Sequence, residues 1–193
     1  MGQFDTSSLA GKLLLAMPNL GDPRFYKAAI LICAHDESGA MGLVINHVLP
    51  DLKLGTVIQS LEIESNIKVP ESLLKLPVIC GGPVEIARGF LLHSADFEQE
   101  STIKVSPEIH VTGTLDAIEE MAQKQRPQNL LFTLGYAGWG KDQLEIEIME
   151  NAWMVSPATK ELVFHTAPEK VWDKAMAAIG VNPHLMSDQI GHA

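Results

Sequence analysis

Leu130-Leu-Phe-Thr-Leu-Gly-Tyr-Ala-Gly-Trp-Gly140, continuing as Lys141-Asp-Gln-Leu-Glu-Ile-Glu-Ile-Met149, is the stretch from which the architecture is read. Leu130–Leu134 is an apolar, strand-like run. Gly135, Gly138 and Gly140 follow it, and glycine at that density marks backbone that needs positive φ or lets another group approach closely. The expectation is therefore a strand, a glycine-rich turn and then a helix, with Trp139 projecting from the turn. Leu144–Ile148 alternates like a strand. Gln143, Glu145, Glu147 and Met149 nevertheless favour helix, and a strand already precedes them, so the segment is expected to be helical. Such a junction is where many α/β proteins hold ligands.

Working outward, Leu13–Met17 reads as a short strand ahead of the turn-rich loop Pro18–Pro23. Ala28–Ala34 and Met41–Asn46 form a hairpin across His35–Gly39. Leu54, Val57, Ile58 and Leu61 recur at helical spacing. Leu76–Cys80 and Arg88–His93 are expected strands on either side of Gly81-Gly-Pro83, with further strands at Thr102–Val105, His110–Thr112 and Trp153–Val155. Thr114 is placed to cap a helix that Pro127 stops. Thr166-Ala-Pro-Glu169 fits a capping box ahead of a stripe of Val171, Trp172, Ala175, Met176 and Ile179, and Gly180 ends that helix. Hairpins mixed with separate helices indicate an α+β protein.

Composition narrows the function classes. The chain has 193 residues, enough for one sizeable core, with 46% apolar and 20% charged side chains. Lys plus Arg is 14 and Asp plus Glu is 24, a formal net charge of −10. The cations are scattered singly, so direct binding to nucleic acid is not expected. Cys33 and Cys80 lie in apolar runs without metal spacing, as free buried thiols would. No apolar stretch reaches membrane length and no secretory signal is visible, so no membrane association is expected.

Each candidate site residue has a structural reading beside the functional one. Gly138-x-Gly140-x-x-Gln143 resembles a dinucleotide fingerprint without its last glycine, but Asp142 and Glu145 put negative charge where a pyrophosphate would sit. Gly81-Gly82-Pro83 is either a phosphate-binding nest or a tight bend between strands. His93 ends an apolar strand, as a structural histidine or an acid–base group. The histidines never fall at i,i+3 or i,i+4, so no metal clamp and no cofactor is implied. Catalytic motifs are absent. Trp139 is either a core plug or an anchor for a partner, with Tyr136 and Gln143 spaced to share its side of the junction.

Taken together, Met17-Pro-Asn-Leu-Gly-Asp-Pro-Arg-Phe25, Ile32-Cys-Ala-His-Asp-Glu-Ser-Gly-Ala-Met-Gly42, Gly81-Gly-Pro83, Arg88-Gly-Phe-Leu-Leu-His93, Leu134-Gly-Tyr-Ala-Gly-Trp139, Gln143-Leu-Glu145 and Asn151-Ala-Trp153 resemble the AlgH/YqgE family. The match runs in order over nearly the whole chain. One departure is that Asn46 is followed by His47-Val48, with Pro50 beyond, where the family usually has a basic residue and proline. The resemblance implies a single α+β domain over residues 1–193: a mixed, bifurcated β-sheet with a small barrel, flanked by helices. About residues 1–12 are expected to be flexible and 181–193 an irregular tail. It implies a bacterial cytoplasmic protein, often labelled a transcriptional regulator, and brings no established enzymatic activity.

Two functions follow. One is a regulatory or interaction protein, compatible with a monomer, whose unknown protein partner docks on a surface of Asn46, Gly81, Gly82, Pro83, His93, Tyr136, Trp139, Gln143 and Glu147. The other is a pocket near Trp139, Gln143 and His93 that binds or processes a small ligand, with His93 or Glu147 as the titrating group. Convergence of Trp139, Asn46, Gln143 and His93 in a concave site would favour the second.

Overall fold

The computed structural model describes residues 8–60, 69–113, 117, 118, 120 and 126–182. Among them a ten-stranded mixed sheet curls into a half-barrel with helices against it. The chain runs β1 (Lys12–Ala16), two 3₁₀ turns (Pro18–Leu20 and Pro23–Phe25), β2 (Ala29–Asp36), β3 (Gly39–Val44), β4 (Val48–Lys53) and α1 (Leu54–Ser60). After α2 (Glu71–Leu74) come β5 (Pro77–Cys80), β6 (Val84–Ser94), β7 (Thr102–Lys104) and β8 (Ile109–Thr112). The last part holds β9 (Leu130–Gly140), α3 (Gln143–Met149), β10 (Trp153–Pro157), a π-helical turn (Glu161–His165) and α4 (Pro168–Ala178).

The sheet order is β10-β1-β2-β3-β9-β6-β8-β7, and β9 is where it forks. Its first half lies antiparallel to β6, with Leu130 opposite His93 and Leu134 opposite Gly89, and parallel to β5 through Phe132–Leu134. Its second half leaves β5 and pairs with β3, Ala137 opposite Gly42 and Gly140 opposite Gly39. The expected glycine-rich turn is thus corrected. Leu130–Gly140 is one strand, and the reversal into α3 occupies only Lys141 and Asp142.

Gly135, at φ +73°, makes the fork possible. A Cβ there would lie 2.4 Å from the Gly82 carbonyl oxygen, and one on Gly82 would lie 2.1 Å from the Tyr136 carbonyl carbon. Backbone therefore crosses backbone at a separation that only glycine permits. The same crossing explains Gly81-Gly82-Pro83. Both glycines are buried, and the Gly81 N–H donates to the Leu134 carbonyl. That N–H is spent on β9, which favours a packed bend over an anion nest.

Both faces of the central strands are covered, so β1 and β2 read as unbroken apolar runs rather than alternating ones. Leu13, Leu15, Leu31 and Leu43 face a core closed by Val171, Trp172, Ala175 and Met176 of α4. Leu14, Ile30, Ile32 and Val44 face a second core with Trp139, Leu144 and Trp153. A third joins Leu54 and Ile58 of α1 to Val78, Leu91, Phe97, Ala117, Ile118 and Phe132. Most of the helix expected from Thr114 falls outside the described residues, as do much of the N-terminal segment and the C-terminal tail.

One smaller expectation changes, beside two local features of the fold. Val48–Lys53 is a strand despite Pro50, tolerated because only Val48 and Lys53 register with β5 and the edge between them is irregular. The capping box at Thr166 is not formed. Ala167 occupies the N-cap position, Pro168 opens α4, and the Thr166 hydroxyl donates back to the Glu161 carbonyl of the π-turn. His35 is tied down through both ring nitrogens. Its Nδ1 accepts the Leu9 N–H at 2.9 Å and its Nε2 meets Glu145 Oε1 at 2.7 Å, pinning the hairpin to α3.

Candidate functional site

A cleft of about 250 Å³ opens where the Leu20–Phe25 loop, the start of β6, the end of β9, α3 and the start of β10 meet. Its residues arrive by different routes. Period-two alternation along β9 sends Ala137 and Trp139 to the face that α3 covers, so Trp139 joins the second core. Helical spacing puts Gln143 and Glu147 one turn apart on the cleft side of α3. Trp153 enters from β10 directly after the tight turn at Asn151, whose φ is +58°.

Glu147 is the hub. Its Oε2 accepts both indole N–H groups, from Trp139 at 2.9 Å and Trp153 at 2.7 Å. Its Oε1 accepts the Gln143 side-chain N–H at 2.8 Å, while Gln143 Oε1 accepts the Gly140 backbone N–H at 3.0 Å. The rings stack edge to face, Trp139 on Trp153 at 5.8 Å between centroids and Trp153 on Phe25 at 5.6 Å. Trp139 is 7% exposed and Trp153 3%, so the cleft meets rings that are otherwise inside the protein.

Across the cleft, Asp22 caps the second 3₁₀ turn by accepting the Arg24 N–H, and its carboxylate is gripped by the Arg24 guanidinium at 2.7 to 3.1 Å. The hydrogen bonds and charge of Arg24 hold the Asp22 carboxyl below the usual carboxylate range. The guanidinium lies 6.0 Å from the Phe25 ring centroid.

Of the residues singled out from the sequence, Pro83, Trp139, Gln143 and Glu147 converge here. Gly81 and Gly82 sit behind the cleft at the backbone crossing. Tyr136 does not share the side of Trp139. Three residues apart on a strand means opposite faces, and Tyr136 packs on Phe90 in the first core with its hydroxyl donating to Glu85. Asn46 is a clamp: Oδ1 accepts the Ala29 N–H and Nδ2 donates to the Lys27 carbonyl. The departure at His47 is accommodated there too, with His47 Nε2 donating to the Tyr26 carbonyl at 3.0 Å.

His93 is also elsewhere. It is fully buried, Nδ1 donates to the Ser94 carbonyl at 3.0 Å, and Nε2 faces the Thr112 hydroxyl at 2.9 Å. A neutral ring with its proton on Nδ1 satisfies both partners. His110 lies opposite it in register with rings 6.0 Å apart, and burial holds the His93 pKa below its ordinary value. Among the described residues no group of His, Cys, Asp and Glu is arranged to hold a metal ion. Cys33 is a free buried thiol whose pKa burial pushes up to about 12, and Cys80 is free and half-buried.

Sequence reasoning missed Asp22, Arg24, Phe25 and Trp153 as site residues. For Asp22, Arg24 and Phe25 the signal was the loop motif Asp22-Pro-Arg-Phe25, which places an acid, a base and an aromatic within four positions.

Residues 13–184 match the profile of the family described as AlgH-like. A UPF0301 protein of Thioalkalivibrio sulfidiphilus is 44% identical over 188 residues, covering 97% of this chain and 98% of its own. One from Jannaschia sp. is 42% identical over 190 residues and covers 97% of both chains. The solution structure of the AlgH protein from Pseudomonas aeruginosa, 36% identical, superposes over 100% of both chains with a TM-score of 0.79. A crystal structure from Corynebacterium diphtheriae, 23% identical over 86% of this chain and 84% of its own, shares the fold with a TM-score of 0.68. The chain belongs to the AlgH-like family.

Proposed function

We propose that this protein is a regulatory binding protein that takes a small ligand into the cleft between the Asp22–Phe25 loop and α3. The observation that carries this reading is the rigid hub at Glu147, where two indoles and an amide converge on one carboxylate beside open space. Preorganised polar groups among aromatic walls are the mark of a recognition site. The lining residues that could act as nucleophile or proton shuttle are Asp22 and Glu147, and both are held in hydrogen bonds to Arg24 or to the indoles and Gln143, which favours binding over chemistry. The volume of about 250 Å³ is below the roughly 300–1,000 Å³ of drug-sized sites, so it suits a metabolite or part of one. A cytoplasmic, regulatory role exercised through a ligand, without direct contact to DNA, fits a net charge of −10.

A thermal-shift screen against metabolites tests this, because a ligand that binds only the folded state raises its melting temperature. Hits should lose their effect in Gln143→Ala, an exposed change that leaves the core intact. Hits that ignore this variant, or a screen without hits, would remove the proposal. A second reading, docking of a protein partner, draws on Met149 and Ile146 of α3, which are 74% and 48% exposed and neighbours on the helix. Ile146→Asp with Met149→Glu should abolish such docking and leave small-ligand binding unchanged.

A further inference from the structure

We infer that the cleft recognises a cation, a ligand bearing a guanidinium or primary ammonium group; this rests on the ligand-binding reading above. Three observations carry it. First, the charges lining the cleft do not cancel: Asp22 and Glu147 are carboxylates, and Arg24 is the lone basic residue among them. Arg24 is committed to Asp22 by three side-chain hydrogen bonds, whereas Glu147 is held only by neutral donors. The negative charge of Glu147 is thus oriented and hydrogen-bonded without being neutralised. Second, a carboxylate offers about four acceptor positions. Three are taken by Trp139, Trp153 and Gln143, which leaves Oε1 able to accept one more N–H. Third, the walls are Phe25, Trp139 and Trp153, and aromatic rings beside a carboxylate are the surroundings in which organic cations are held. The chain already uses this chemistry on itself, since the Arg24 guanidinium rests between the Asp22 carboxylate and the Phe25 ring. A cationic ligand would occupy the equivalent relation to Glu147 and the tryptophans.

The test uses the whole protein and three probes of similar shape: propylguanidinium, its neutral counterpart propylurea, and the anion butanoate. The readout is the indole N–H resonances of Trp139 and Trp153, with Trp172 as an internal control because its Nε1 donates to the Ala16 carbonyl inside the protein. Propylguanidinium is expected to shift the first two signals and to bind at least tenfold more tightly than propylurea, with affinity falling as salt rises. Arg24→Ala, a change at an exposed side chain, removes the competing cation and frees Asp22, so it should tighten propylguanidinium binding several-fold. Glu147→Gln should weaken it about tenfold. Equal binding of propylurea, tighter binding of butanoate, or weaker propylguanidinium binding in Arg24→Ala would overturn the cation assignment while leaving the cleft as a ligand site. If none of the three probes moves Trp139 or Trp153, the cation assignment falls. Metabolite hits that depend on Gln143 would then still support the cleft, and their absence would remove it as well.

Discussion

Trp139 belongs to the core and to the cleft at once, and the two roles make different demands on the side chain. Its ring is buried among Ala137, Leu144 and Trp153, while its N–H is one of three donors on Glu147. Trp139→Ala should therefore destabilise the fold by about 3–5 kcal/mol, as buried large-to-small aromatic changes do. Trp139→Phe keeps a six-membered ring but loses the pyrrole half of the indole together with the donor, so it should cost less than the alanine change, about 1–3 kcal/mol. Urea denaturation of both variants checks the order, and a nearly unchanged midpoint for Trp139→Ala would contradict the burial. His93 supplies a prediction about pH. Burial disfavours its imidazolium and lowers its pKa in the folded protein, against about 6.5 in the unfolded chain. The unfolded state therefore binds more protons between those two values. Stability is full above about pH 6.5, falls as the pH drops below it, and levels off below the folded value. His47, half-buried and shifted the same way, adds to the slope. Denaturation midpoints measured from pH 7.5 down to 5 should decline, and less steeply in His93→Asn. Equal slopes in the two proteins would rule out this role for His93.

At the scale of elements, the glycines of β9 look alike in the sequence and are not alike in the fold. Gly135 has positive φ and no room for a Cβ, whereas Gly138 has ordinary φ and its Cβ would meet only the Tyr136 ring, at 3.4 Å. Gly135→Ala should destabilise by about 1–3 kcal/mol or more through overlap and backbone strain. Gly138→Ala should stay within about 0.5 kcal/mol. Thermal melts of the pair decide this, and similar losses in both would mean that the fork does not depend on Gly135. The contrast also marks the limit of what the chain discloses locally. The apolar runs of β1, β2, β3 and β5 and the stripe of α4 were legible because period and composition agree there. The length of β9 was not, since glycine reads as punctuation unless the strand crossing it is known. The site was half legible. Trp139, Gln143 and Glu147 lie close together in sequence, so helical and turn spacing could group them. Phe25 and Trp153 come to them through the β10-β1-β2 pairings, which join strands far apart in the sequence. Tyr136 was misplaced for the converse reason, because a turn and a strand send the same spacing to different sides.

For the molecule as a whole, the question is whether this fold meets DNA. A formal charge of −10 sets the long-range field, and a protein can escape such a field only by gathering its cations on one face. The fold does the opposite. Arg24 is paired with Asp22, Lys27 with Asp173, Lys75 with Glu71, Arg88 with Glu85 and Lys104 with Glu98. Exposed pairs of this kind add little stability, but each cancels a positive charge where it stands. They are also spread over the 3₁₀ loop, α2, β6 and β7 rather than along one element that could enter a groove. Duplex DNA carries about one negative charge per 1.7 Å of axis, and binding draws its non-specific strength from cations that displace its counterions. With a net charge of −10 and five of its fourteen cations held in ion pairs, this protein should show no high-affinity duplex binding even at low salt, where electrostatic attraction is strongest. A gel-shift titration in roughly 50 mM salt against both random duplex and genomic fragments is the measurement. Saturable, sequence-specific binding at nanomolar concentration would sink the prediction. Its absence would leave any influence on transcription to act through a ligand or a partner.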